Sequence, residues 1–223
     1  MGHDIKLTAS DGFQLGAYRA DPTGPAKAAV VVIQEIFGVN SHIRAVCDRF
    51  AEQGYVAVAP AIFDRVAPNF QSGYSADDVA NARKFVASPD WDAFLRDTQA
   101  AINSVKDVGP VGIIGFCLGG SIAFLAATRL SGIKAAIGYY GGAVARNADE
   151  KPKVPTQLHY GEKDTGIPLS DVEIVRTKRP DVEVFVYEGA QHGFNCNERA
   201  SYDKASADVA RGRSLDFFAR HLK

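Results

Sequence analysis

The segment Val111-Gly112-Ile113-Ile114-Gly115-Phe116-Cys117-Leu118-Gly119-Gly120-Ser121 constrains the fold more than any other stretch of the chain. An apolar run leads into G-x-C-x-G-G, and an apolar helical pattern, Ser121–Leu130, follows. A strand that turns straight into a helix through such a motif is a nucleophile elbow, here with cysteine where serine is usual. Gly115 and Gly119 permit the turn, because a side chain at either would collide with neighbouring backbone. The pattern predicts a strained Cys117 at the carboxyl end of a strand, with its sulfur exposed. The positive end of the following helix then aims at that sulfur and favours thiolate over thiol. Free cysteines are ordinarily inert packing residues. The flanking strand and helix make Cys117 a candidate nucleophile.

The remaining residues predict the scaffold an elbow needs. Ile5–Thr8 and Gln14–Arg19 flank Ser10-Asp11-Gly12 and predict a β-hairpin. Ala28–Ile33 is a continuous apolar run, the mark of a strand covered on both faces. A helix is predicted over Ser41–Gln53, with Ile43, Val46, Cys47 and Phe50 at helical spacing. Tyr55–Ala59 returns as a strand. Residues 92–105 again read as a helix, and Ala135–Tyr140, Thr156–Tyr160 and Glu183–Tyr187 as strands. A last helix, about Tyr202–Leu222, is expected to turn Ala205, Val209, Leu215, Phe218 and Leu222 inward. This alternation predicts a single α/β domain over residues 1–223. Its sheet is mostly parallel with an antiparallel N-terminal hairpin, and helices cover both faces. The irregular stretch Pro60–Ser75, with Asp64, Arg65, Asn69 and Phe70, is expected over the sheet's carboxyl edge, as a pocket wall or as plain surface loop.

Composition narrows the function classes. Twenty-five basic residues against 26 acidic ones imply no field for nucleic acid. Apolar runs are too short to span a bilayer, and Met1-Gly2-His3-Asp4 lacks the basic start of a secretory signal. Three cysteines, Cys47, Cys117 and Cys196, suit reduced thiols in a cytoplasmic protein. His3, His42, His159 and His221 fit no metal-ligand spacing, nor do His192 and Cys196, so no metal site and no phosphate loop are expected.

Downstream of an elbow, an acid and then a histidine are required. Strand Thr156–Tyr160 runs into a loop carrying Glu162 and Asp164, and strand Glu183–Tyr187 runs into Gln191-His192-Gly193-Phe194. Asp164 can orient His192, and His192 can take the Cys117 proton and return it to a leaving group. Glu162 is a nearby competitor for the acid, and either carboxylate suits a solvated turn. The loop Gln34-Glu35-Ile36-Phe37-Gly38 holds the position of one oxyanion donor, the Ile36 N–H, paired with that of Leu118. Glu35 there is a charged residue at the end of a buried strand. It wants a donor, which the Cys117 thiol or an arginine could supply, unless it turns to solvent.

Together QEIFG at 34–38, GFCLGG at 115–120, the Asp164 loop and His192-Gly193-Phe194 resemble the dienelactone hydrolase family, also called carboxymethylenebutenolidases. The resemblance runs through nearly the whole chain. It implies an α/β-hydrolase fold with no lid domain and no cofactor, and a Cys-His-Asp triad of Cys117, His192 and Asp164. It also implies that Glu35 contacts the nucleophile and keeps the thiol in check until substrate arrives. The expected protein is a monomer that opens a small lactone or activated ester through a thioester on Cys117. The sequence departs from the family at one point. Dienelactone-processing members hold the substrate carboxylate with arginines, one of them four residues after the histidine, where this chain has Cys196. Arg199 lies three residues further on, and Arg65 and Arg83 offer no match for the other. Two other readings stand beside hydrolysis: a thiol-redox protein pairing Cys117 with Cys196, and a non-catalytic binding module on a hydrolase scaffold.

Overall fold

A computed structural model describes residues 2–223. Strands β1 (His3–Thr8) and β2 (Gln14–Ala20) form the antiparallel hairpin, with Thr8 opposite Gln14. Strands β3 (Ala28–Ile33), β4 (Tyr55–Pro60), β5 (Val111–Phe116), β6 (Ala135–Tyr139), β7 (Thr156–Gly161) and β8 (Glu183–Tyr187) run parallel. The eight form one sheet in the order β1-β2-β4-β3-β5-β6-β7-β8. That is the mostly parallel architecture with an antiparallel edge that the sequence predicts. From β3 the chain goes to β4 on one side and later to β5 on the other. The order therefore reverses between β3 and β5, opening a crevice at their carboxyl ends, where α/β proteins bind ligands.

All six residues of β3 are buried, and alternate side chains enter different cores. Val30 and Val32 join Ile114, Phe116 and Tyr139 under helices α1 (Ser41–Glu52) and α6 (Lys204–His221). Val31 and Ile33 join Val58 and Ile113 on the opposite face, under α3 (Trp91–Val105) and α4 (Leu118–Arg129). Two further helices, α2 (Ala76–Arg83) and α5 (Leu169–Lys178), have only one and two buried residues, respectively. With so little apolar face, neither is predicted from periodicity. No helix among the described residues is long and apolar enough to cross a membrane.

Helix ends follow local chemistry. The Asn40 side chain accepts from the Ile43 N–H at 3.3 Å, and Asp90 and Asp203 cap α3 and α6 in the same way. The inward face of α6 differs from the expected one. Ala205 and Val209 are exposed, whereas Ala207, Ala210, Ser214, Phe217 and Phe218 are buried. Small residues at 207, 210 and 214 bring α6 close to the sheet, and Ser214 Oγ meets the Tyr139 hydroxyl at 2.7 Å. The expected stripe followed the larger apolar residues and missed this close approach. Phe218 and Leu222 do face inward, and Leu215 is half-buried.

α4 begins at Leu118, three residues before the expected start, so two elbow glycines lie in its first turn. A Cβ on Gly115 would sit 1.9 Å from the Gly119 carbonyl oxygen, and one on Gly119 would sit 2.3 Å from that of Ile33. Gly115→Ala or Gly119→Ala is therefore expected to destabilise the protein by at least about 1–3 kcal/mol in denaturant unfolding. Gly212, inside α6 with open space around it, is the matched control. Its change to Ala is expected to raise stability by roughly 0.5–1 kcal/mol.

Candidate active site

Cys117 links β5 to α4 with φ 55° and ψ −113°, a conformation sparsely populated by residues with side chains. Its surroundings hold it there. The Cys117 N–H donates to the Tyr139 carbonyl at 3.0 Å, and the Gly119 N–H donates to that of Gln34 at 3.1 Å. The second bond ties the chain leaving β3 to the first turn of α4. Thus Ile36 and Leu118, the expected oxyanion donors, belong to two segments that are bonded together. Gln34, wholly buried, fixes the same loop by accepting from the Ile62 N–H at 3.1 Å. Cys117 itself is half-buried at the positive end of α4.

The carboxyl ends of β7 and β8 supply the next pair. The Asp164 side chain is buried, and its Oδ1 accepts from the Gly166 and Ile167 N–H groups at 2.9 and 3.2 Å. Oδ2 meets His192 Nδ1 at 2.7 Å. Both carboxylate oxygens are thus committed, and the imidazole is fixed through one nitrogen. Burial opposes a charge on His192. The negative charge of Cys117 and the bond to Asp164 outweigh it and raise the imidazole's pKa to about 10. His192 also packs 5.0 Å from the ring of Tyr140, a residue held at φ 38° after β6. Glu162, the competing acid, is turned elsewhere and accepts from the Gly189 N–H at 2.9 Å.

Glu35 is almost fully buried and has two donors: Arg199 Nη1 at 3.0 Å and the Tyr74 hydroxyl at 3.2 Å. Burial pushes its carboxyl pKa up, against the nearby charges of Arg199 and His192. Cys117 is not among its hydrogen-bond partners, so of the alternatives weighed for Glu35 the arginine pair is the one realised. Arg199 reaches Glu35 past Gly193, where a Cβ would lie 2.4 Å from its Nη1. An arginine therefore does enter the site, from seven residues beyond His192. Arg65 instead binds Asp97 at 2.7 Å and Asp11 at 2.9 Å, and Arg83 is exposed on α2.

The Pro60–Ser75 stretch does wall the site, though not through the four residues singled out. Asp64 holds the Gly16 and Asn69 N–H groups, and Phe70 packs on Phe63 and Phe85. The contact with Glu35 comes from Tyr74, which sequence reasoning missed. Tyr140 was missed as well. Its position just beyond the carboxyl end of β6 was the one available signal.

The family model described as "Dienelactone hydrolase family" matches residues 15–222. The chain belongs to the dienelactone hydrolase family. A protein of Synechocystis sp. named "Putative carboxymethylenebutenolidase" is 38% identical over the full length of both chains. The carboxymethylenebutenolidase of Pseudomonas putida is 32% identical, over 96% of this chain and 95% of its own. The crystal structure titled "Putative Dienelactone Hydrolase" from Klebsiella pneumoniae subsp. pneumoniae has a TM-score of 0.86 at 30% identity, covering 99% of this chain and all of its own. As a member of this family the chain is a hydrolase with the α/β-hydrolase fold, and the redox and binding-module readings are not favoured.

The coupling of His192 to its neighbours is directly measurable. In an NMR titration its imidazole is expected to keep its proton until about pH 10. Asp164→Asn and Cys117→Ala should each lower that midpoint, because each removes a group that holds the proton while burial remains. An unmoved midpoint in both variants contradicts the coupling.

Proposed function

We propose that this family member hydrolyses lactones or activated esters by transient acyl transfer to Cys117, with His192 and Asp164 completing the triad. The observation that carries the reading is the 2.7 Å His192–Asp164 pair at the sheet edge where the strained elbow holds Cys117. The sulfur attacks the carbonyl carbon, and the oxyanion forms between the Ile36 and Leu118 N–H groups. A lost donor of this kind typically costs about 2.7–4 kcal/mol of barrier stabilisation. The departing enolate or phenolate takes the proton from His192. His192 then deprotonates a water that cleaves the thioester and frees Cys117. Asp164 keeps the imidazole in one tautomer and orientation throughout.

The nucleophile sets the substrate class. A thiolate leaves a tetrahedral intermediate more readily than an alkoxide does, so simple alkyl esters revert. Enol lactones and aryl esters avoid that reversal. The name carboxymethylenebutenolidase, borne by the relatives, points to the same lactone class. We place Glu35 in this site as the partner of Arg199, modulating the nucleophile through the charge beside it. Because Glu35 already neutralises Arg199, a substrate carboxylate finds no free cation there.

Two measurements test the reading. Cys117→Ala should lower aryl-ester turnover by at least about 10³-fold with the circular dichroism unchanged; unaltered turnover removes Cys117 from the mechanism. In matched lactones or aryl esters with and without a carboxylate, kcat/KM should favour the neutral member. A carboxylate preference abolished by Arg199→Gln would show instead that substrate displaces Glu35.

A further inference from the structure

We propose that Glu35, His42 and Cys196 form a binding site for a divalent d-block metal ion, zinc(II) foremost. One donor atom from each of the three buried side chains lies within 4.8 Å of the other two. Zinc bonds of about 2.0–2.3 Å to nitrogen, oxygen and sulfur are met from that separation by small side-chain adjustments.

The condition of His42 is the independent observation. It lies in the first turn of α1 with no exposed surface, and neither ring nitrogen has a hydrogen-bond partner among the described residues. An unpaired buried polar atom is costly to a fold and rare. His159 is equally buried and shows the ordinary solution: its nitrogens meet the Tyr187 hydroxyl at 2.8 Å and Gln157 at 2.9 Å. The Asn197 side chain is near enough to act on the His42 ring, yet it closes no bond of normal geometry with either nitrogen.

The donor set suits the ion chosen. An imidazole, a thiolate and a carboxylate select zinc and its neighbours over magnesium or calcium, which take oxygen. On binding, the Cys196 S–H bond breaks, a metal–sulfur bond forms and the proton leaves to solvent. The thiolate and the Glu35 carboxylate set two negative charges against the two of the metal, and the Arg199 guanidinium 3.0 Å from Glu35 leaves the cluster one net positive charge. A route exists too. A cleft of about 500 Å³ between α1 and α6 is lined by Val46, one turn beyond His42, and by Asn195 and Asn197, which flank Cys196.

No spacing rule reveals this set, because the ligands stand at 35, 42 and 196. The turn after His192, closed by the Cys196 N–H on the Gly193 carbonyl at 3.0 Å, delivers the thiol. The inference does not depend on Cys117 being a nucleophile.

The test is a cobalt(II) titration of the intact protein, read by the thiolate-to-cobalt charge-transfer absorption, followed by zinc(II) competition. The expected result is one equivalent of cobalt, a band that zinc removes, loss of the band in Cys196→Ser, and its retention in Cys117→Ser. His42→Phe, which keeps a buried ring, should weaken binding at least tenfold and carries the test if Cys196→Ser does not fold. Absence of any band at saturating cobalt overturns the proposal. So does a band that survives both Cys196→Ser and His42→Phe, or one that disappears with Cys117→Ser, which would place the metal on the Cys117–His192 pair.

Discussion

Backbone-to-backbone contact between α4 and the central strands is the constraint on which the site depends. Side chains at Gly115, Gly119 or Gly120 would reach within 2.3 Å of the carbonyl oxygens of Gly119, Ile33 or Tyr139, respectively. Their absence lets the helix start directly against β3, β5 and β6. The helix therefore begins where the strand ends, and Cys117 has only a positive φ in which to join them. Strain of this kind, of order 1–3 kcal/mol, persists only where surrounding structure over-determines it. Here the overdetermination is visible as bonds from Cys117 and Gly119 to neighbouring strands.

From that fixed point the polar groups follow the topology. Strands β3, β5, β7 and β8 all point their carboxyl ends to one edge, and the residues just beyond them are Glu35, Cys117, Asp164 and His192. Each buried charge has a partner: Asp164 has two N–H groups and His192, and Glu35 has Arg199 and Tyr74. Losing a partner in such a cluster leaves a charge uncompensated in a poor solvent, which is why buried pairs are costly to break. The Asp164–His192 pair and the carboxylate–guanidinium pair also sense each other, since the charge of His192 acts on Glu35.

Much of this was legible because it is local. The hairpin turn, the buried strands and the elbow depend on residues adjacent in the chain, and Cys117, Asp164 and His192 are candidates from the order of motifs. The misplaced face of α6 has a different origin. Its inward stripe is set by how closely the sheet lets small residues approach, as at Ser214 beside Tyr139, and helical periodicity carries no such distance.

The amino-acid sequence by itself determined the alternating scaffold, the cysteine elbow and the acid–histidine order, since backbone sterics and hydrophobic periodicity act over short stretches. Only the tertiary structure decided what stands around the sulfur. It turned Arg199 and Tyr74 onto Glu35, kept Arg65 away on Asp97, and gathered His42 and Cys196 beside Glu35 from opposite ends of the chain. Those choices depend on which groups can satisfy one another's charge and hydrogen bonds once water is excluded, and that depends on neighbours brought together by folding.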